Sequence, residues 1–172
     1  AMRDEIPEVT GMTRFHPSTM TLMVGDRQFL EHVTAVDPDF FQIIKLPLLQ
    51  GDPDRVFRDP QSLVLSESAA RKYFGTTDVI GKIIATTANC EAADTACLGR
   101  RVSLKVTGVM RNVPYNTQFD GDIFLPNTSI ADRNSKQAKL SWHTENGSGY
   151  VRLAPGADPQ AGGDAGRLPG DA

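Results

Sequence analysis

The sequence lacks a long hydrophobic run. Its richest apolar stretch, residues 40–49, is interrupted by Lys45 and Pro47, whereas a membrane-spanning helix needs about 18 or more consecutive apolar residues. We therefore expect the chain itself to lie outside the bilayer. The first residues contain no apolar signal core, so we expect any export signal or membrane anchor to lie outside these residues.

The sequence also lacks a large excess of charge of either sign. The chain has 18 Lys and Arg against 21 Asp and Glu, which gives a formal net charge of −3, and neither sign forms a long block. Because proteins that bind nucleic acid carry clustered Lys and Arg, nucleic acid is not an expected partner. The apolar content of 40% is sufficient for one medium domain or two small lobes.

Cysteine is limited to Cys90 and Cys97, which lie in a polar stretch. A structural zinc site needs four ligands, but His16, His32 and His143 are scattered along the chain, so the sequence predicts no metal site. A local disulfide would fit an oxidising compartment such as the periplasm and would stabilise the fold by about 2–3 kcal/mol. Two free thiols remain the alternative. Thiol titration with and without reductant separates the two.

The sequence also lacks recognisable catalytic motifs. Residues 75–82 read GTTDVIGK, but a phosphate-binding loop needs four residues between its glycines and Ser or Thr after the Lys. Here five residues intervene and Ile83 follows. Ser66 does not lie in a Gly-x-Ser-x-Gly elbow, and we interpret it as a helix cap. The sequence therefore predicts no enzymatic activity and no cofactor bound to this chain.

Local patterns in the first part of the chain predict a hairpin followed by a helix. Residues 9–15, 20–24 and 29–36 are β-prone, and Gly25–Asp26 is typical of a two-residue hairpin turn. Asp37–Pro38 is expected to begin a helix, since Asp can accept from free amides of the first turn and Pro suits the first helical position.

The remainder predicts alternating strands and one further helix. Residues 62–65 form a short apolar run, after which Ser66 is expected to cap a helix that ends at Gly75. Further strands are expected at residues 79–86, 101–110, 122–125 and 150–153. The tail after residue 153 is rich in glycine and proline and poor in large apolar side chains. The fold class predicted is α+β.

Three blocks of sequence resemble the MacB-like periplasmic core domain of ABC transporter permeases of the MacB/FtsX type. They are VDPDFFQIIKLPLLQGD at residues 36–52, SLVLSESAARKYFG at 62–75 followed by IGK at 80–82, and VTGVMRNVP at 106–114. The blocks occur in the order found in that family and together cover most of residues 6–126.

The resemblance implies two lobes. A mixed α/β lobe near the membrane would comprise residues 1–81 and 150–172, and an inserted β-rich lobe would comprise residues 82–149. Members of the family usually have a further strand and helix before the segment matching residues 6–9, and an amphipathic helix after the strand matching residues 150–153. We therefore expect the first lobe to be incomplete at both ends.

The resemblance also implies a function in the cell membrane, on its periplasmic side. The domain would be inserted between membrane helices of the permease and would transmit ATP-driven conformational change to periplasmic partners or substrates, in mechanotransmission, efflux or lipoprotein release. ATP would be hydrolysed on a separate cytoplasmic subunit or domain. Expected partners are membrane helices of the same permease, the ATPase indirectly, a periplasmic adaptor or substrate protein, and a second copy in a homodimer.

Two other functions remain open from the sequence. The first is a module that binds a ligand or peptide in a cleft between the lobes, for which the candidate lining or interaction residues are Phe40, Phe41, Tyr115, Phe119 and Trp142. Aromatic residues at helix and strand spacing more often belong to the core, and a Trp142 fluorescence titration would distinguish these cases. The second is a serine hydrolase using Ser66, which has the weakest support.

Overall fold

A computed structural model describes residues 8–87, 100–113, 119, 121–129 and 148–157. None of the helices in these ranges is long and apolar enough to cross a bilayer. The described elements, in chain order, are β1 (Val9–Val24), β2 (Arg27–Val36), α1 (Phe40–Ile44), β3 (Leu48–Gln50), β4 (Ser62–Ser66), α2 (Glu67–Phe74), β5 (Ile83–Thr87), β6 (Arg101–Met110), β7 (Ile123–Pro126) and β8 (Ser148–Leu153).

All eight strands belong to one sheet, in the order β2-β7-β4-β6-β5-β1-β8, with β3 added to β6. A further pairing of β1 with β2 closes the six strands β1, β2, β7, β4, β6 and β5 into a ring. The strand β1 is long enough to pair with β2 along one edge, and with both β8 and β5 along the other. The ring is thus built around the first strand of the chain.

The sheet is mixed, since β4 runs parallel to β6 and β2 runs parallel to β7, whereas the other pairings are antiparallel. Parallel neighbours require a crossover connection, and α2 lies in the crossover from β4 towards β6. This combination of a mixed sheet with two short helices confirms the α+β class predicted from the sequence.

Two apolar clusters lie on opposite faces of the central strands. Successive side chains in a strand point to opposite faces, so Leu63 and Leu65 of β4 pack in the first cluster while Val64 between them packs in the second. The first cluster also receives Ala69, Ala70 and Tyr73 from α2. The second is covered by α1, which contributes Phe40 and Phe41, and by Val56 and Phe57.

The helix α2 agrees with its prediction. The hydroxyl oxygen of Ser66 accepts a hydrogen bond from the amide of Ala69 at 3.0 Å, and Gly75 adopts the left-handed conformation with φ of 74°. The strand β6 also has the predicted bounds. The strand β5 begins at Ile83, later than predicted, because Val79 to Lys82 form a turn closed by the amide of Lys82 donating to the carbonyl of Val79.

The prediction that Asp37 begins and caps a helix is wrong. The helix α1 begins at Phe40, and Asp39 precedes it without a side-chain cap. The carboxylate of Asp37 instead accepts hydrogen bonds from Arg14 and Asn127, so it serves long-range contacts. The helix ends before Pro47, with Lys45 in the left-handed conformation.

Strands from both predicted lobes hydrogen-bond within the described sheet. β5, β6 and β7 lie in the range 82–149, and their neighbours β1, β2 and β4 lie in the range 1–81. Large parts of the range 82–149 fall outside the described residues, so the division into two lobes stays a prediction.

Candidate functional site

The first and last described strands lie side by side. β1 and β8 pair antiparallel from Val9 opposite Leu153 to Phe15 opposite Ser148. The amide of Ala154 donates to the carbonyl of Glu8 at 2.8 Å, which extends the ladder beyond the last paired residues. The first and last described strands are therefore joined along their length by backbone hydrogen bonds.

A polar junction connects this pair of strands to the rest of the sheet. The Asp37 carboxylate accepts from the backbone amide of Arg14 at 2.9 Å and from its guanidinium at 3.1 Å. The side-chain amide of Asn127 donates to the same carboxylate. Arg14 belongs to β1, Asp37 follows β2, and Asn127 follows β7, so one side chain joins the middle of β1 to the ends of two other strands. The hydrogen bond to Asp37 raises the pKa of the Arg14 guanidinium, although burial acts in the opposite direction.

Aromatic rings form a second connection at the same end of the fold. Tyr150 of β8 stacks on Phe15 of β1, with ring centres 5.7 Å apart. Phe119 contacts both rings, at 5.6 Å and 5.2 Å, and also contacts Phe40 of α1 at 5.5 Å. Offset and edge-to-face pairs of this kind add to the energy of burial. The terminal strands are therefore packed directly onto the second core cluster.

The structure places the predicted aromatic residues in different surroundings. Phe40 is fully buried and Phe41 is 1% exposed, and both belong to the second core cluster. Phe119 is half-buried beside them. Tyr115 and Trp142, together with Cys90 and Cys97, lie outside the described residues. The cleft lining and the disulfide therefore stay predictions.

The polar candidates are not gathered into one site in the described ranges. The fully buried hydroxyl of Ser66 donates to the carboxylate of Asp122 at 2.6 Å and accepts from the amide of Ala69. His16 is buried, His32 is exposed, and His143 lies outside the described ranges. Among the residues that the structure describes, no group of three or more His, Cys, Asp or Glu could hold a metal ion.

The β1–β2 turn adjoins an exposed surface that the sequence analysis missed. Its groove of about 350 Å³ is lined by Met23, Gly25, Asp26, Gln28, Ile83, Ala85 and Arg101. We call this surface, together with the neighbouring Leu30 and Lys105, the hairpin face. One signal was available, because two adjacent isoleucines at 83 and 84 in a strand must point to opposite faces. Ile84 is fully buried and Ile83 is 52% exposed.

A family model described as the MacB-like periplasmic core domain matches residues 1–165. Among solved structures, the chain is similar to a domain described as part of a permease protein from Porphyromonas gingivalis, with 26% identity and a TM-score of 0.68. The match covers 95% of this chain and 70% of that one. No curated protein gives a significant sequence match.

Two further solved structures share the fold at lower identity. The periplasmic region of MacB from Actinobacillus actinomycetemcomitans is 18% identical with a TM-score of 0.63, and the match covers 95% of this chain and 67% of that one. The extracellular domain of the ABC-type transporter YknZ from Gram-positive bacteria is 17% identical with a TM-score of 0.51, with 85% and 66% covered. The chain thus spans about two thirds of the length of these three structures.

Proposed function

The chain belongs to the family of MacB-like periplasmic core domains, which are periplasmic domains of ABC transporter permeases, and from this premise we propose that it relays ATP-driven movement of membrane helices to periplasmic partners or substrates. ATP is hydrolysed on a separate cytoplasmic subunit or domain in this proposal. The membrane helices of the same permease are the direct partners. The further partners in this proposal are a periplasmic adaptor or substrate protein and a second copy of the permease.

The pairing of β1 with β8 is the observation that carries the proposal. Because the chain enters and leaves the fold through two hydrogen-bonded strands, two flanking membrane segments would pull or push on one point. The Asp37 junction and the rings of Phe15, Phe119 and Tyr150 then connect that point to the whole sheet. Densely packed interiors transmit strain, so a small displacement at the membrane end moves the body as a unit.

The role of Ser66 supports a non-enzymatic function. A nucleophilic hydroxyl needs an adjacent base and access to substrate, whereas the Ser66 hydroxyl is fully buried and is used in a helix cap and a hydrogen bond to Asp122. We expect both the unmodified protein and Ser66→Ala to hydrolyse generic ester and peptide substrates only at background.

Ligand binding between lobes remains a second candidate, and the half-buried Phe119 is the observation that favours it. Its test is titration of intrinsic Trp142 fluorescence with peptides and macrolides. A saturable response that is lost in Phe119→Ala would favour binding over pure coupling, and the absence of any response would favour coupling.

The relay is tested by making its connection to the membrane flexible. A Gly-Ser segment of about six residues, which behaves as a flexible coil, is inserted between Pro7 and Glu8 of the complete permease with its ATPase in lipid nanodiscs. A donor fluorophore at the exposed Asp54 and acceptors on lipid headgroups report the height of the domain. We expect the nucleotide-dependent change in energy transfer to be lost while ATP hydrolysis continues.

The matched control carries the same insertion between Thr76 and Thr77, which lie in a loop away from the β1–β8 pair. This variant should keep the nucleotide-dependent change. An unaltered change in the variant with the insertion before Glu8, in a domain that unfolds at its normal temperature, would contradict the proposed relay.

A further inference from the structure

The hairpin face extends across the outward side of four neighbouring strands. Met23 of β1 lies opposite Gln28 of β2 and also opposite Ala85 of β5. Ala85 in turn lies opposite Ser103 of β6. Directly opposed residues in antiparallel strands point to the same side of a sheet. These four side chains therefore form one continuous row.

The apolar part of the hairpin face is open to solvent. Leu30 is 75% exposed and Ile83 is 52% exposed, and Met23 and Ala85 are half-buried between them. The outward side of β4 and β7 is different, because α1 covers it with Phe40 and Phe41. Single exposed apolar residues are ordinary, whereas contiguous apolar surface is typical of interaction sites. Met23, Ile83 and Ala85 line one groove, and Leu30 lies on the same side of the sheet, opposite Thr21.

The charge beside these apolar residues is positive. Lys105 lies opposite Ile83, and Arg101 lies opposite Thr87, so β6 borders the apolar row with two exposed cations. Neither forms an ion pair with another described residue, whereas Arg14, Arg55, Arg71 and Lys72 all do. The chain as a whole carries a net charge of −3, so this surface is opposite in sign to the overall charge.

We propose that the hairpin face docks a segment of an extracytoplasmic protein in which apolar side chains alternate with carboxylates. The apolar side chains would cover Met23, Leu30 and Ile83, and the carboxylates would pair with Arg101 and Lys105. Complementary charge at the rim of an interface sets partner choice and speeds association. Asp26 on the opposite side of the groove disfavours a segment that is acidic at both edges.

A protein fits this position better than a lipid surface, although exposed apolar residues beside cations also occur on proteins that lie on anionic membranes. β1 has 16 residues, and at about 3.3 Å per residue it extends about 50 Å at most. The hairpin face is at the Val24 end of β1, while the flanking chain leaves at the Val9 end. This step rests on the proposed function, which places the Val9 end at the membrane and therefore the hairpin face away from it.

The test uses a synthetic peptide of about ten residues that alternates Leu and Glu, long enough to lie along the groove. NMR spectra of the isotope-labelled chain are recorded during titration. We expect saturable shifts at Met23, Gln28, Ile83 and Ala85. The double variant Arg101→Glu with Lys105→Glu should weaken binding at least about tenfold, whereas Arg58→Glu with Arg111→Glu, at exposed cations elsewhere, should leave it within about twofold.

Three results would overturn the docking proposal. The first is the absence of saturable shifts on this face. The second is larger shifts there with vesicles of phosphatidylcholine containing about one quarter phosphatidylglycerol. The third is concentration-dependent shifts there without peptide, which would indicate that the face binds a second copy of the chain. The Arg101→Glu, Lys105→Glu variant should keep the nucleotide-driven movement of the complete permease. Loss of docking is thereby separated from failure of the relay.

Discussion

At the scale of single residues, Asp37 joins three strands of the described sheet. Its carboxylate accepts from the backbone and guanidinium of Arg14 and from the side chain of Asn127, and its side chain is only 14% exposed. Its amide also donates to the carbonyl of Arg14 at 3.0 Å. Asp37 belongs to the first sequence block, and these contacts give a physical reason for an aspartate at that position.

We expect Asp37→Ala to lower the free energy of unfolding by about 2–3 kcal/mol, because it leaves the amides of Arg14 and Asn127 without their acceptor. The exposed half of the Arg14 guanidinium contributes little to this figure, since solvent screens it. Urea unfolding measures the change. The control Asp54→Ala, at an exposed position, should change stability by less than about 0.5 kcal/mol, and equal effects of the two would refute the role of Asp37.

Tyr73 gives a prediction for alkaline pH. Burial is the main cause that raises the pKa of its phenol, and the hydrogen bond to Glu31 adds to the effect. A raised pKa in the folded state means that folding favours the neutral phenol, so its contribution is fully present below the ordinary Tyr pKa of about 10 and is lost as the pH rises above it.

Stability should therefore fall above about pH 10, and Tyr73→Phe should make this decline shallower. Chemical unfolding across that range is the measurement. A decline of the same steepness in Tyr73→Phe would show that other groups cause it.

At the scale of elements, the close approach of the chain after β3 to β6 depends on Gly51. Its φ is +102°, and a Cβ there would lie 2.8 Å from the carbonyl oxygen of Thr107 and 3.0 Å from the Cα of Gly108. Gly75, which ends α2, also has a positive φ but has open space around it. Substitutions at the two glycines therefore separate the cost of a steric clash from the cost of a left-handed backbone conformation.

We expect Gly51→Ala to cost about 3 kcal/mol and Gly75→Ala about 1 kcal/mol, since only the first adds a backbone clash to the left-handed penalty. Thermal and urea unfolding of both variants give the comparison. Equal losses would mean that β3 can move away from β6.

Sequence patterns predicted those elements whose signals are local. The Ser66 cap, the Gly75 end of α2 and the alternation in β6 are read from neighbouring residues, and all are confirmed. The role of Asp37, the short strand β3 and the closure of the ring through β1 depend on partners far along the chain. A single sequence does not contain the register of such pairings, so these features were missed. The extent of the hairpin face across four strands depends on such pairings as well, although the adjacent isoleucines at 83 and 84 were a local signal for its exposed part.

At the scale of the whole molecule, the fold joins its entry and exit strands to a ring of six strands with an apolar cluster on each face. Membership of the family gives the position of the domain on the periplasmic side of a permease. The hairpin face lies at the opposite end of β1 from its pairing with β8. The proposed relay and the proposed docking surface thus occupy two ends of one hydrogen-bonded sheet.

The most direct measurement places a donor fluorophore in turn at Asp54, between β3 and β4, and at Asp78, between α2 and β5, both of which are exposed. Energy transfer to headgroup acceptors is recorded for the complete permease with and without nucleotide. Because both sites belong to one packed body, we expect nucleotide to change the two signals together. No nucleotide-dependent change at either site, or a change confined to one of them, would contradict a domain that relays movement as a unit.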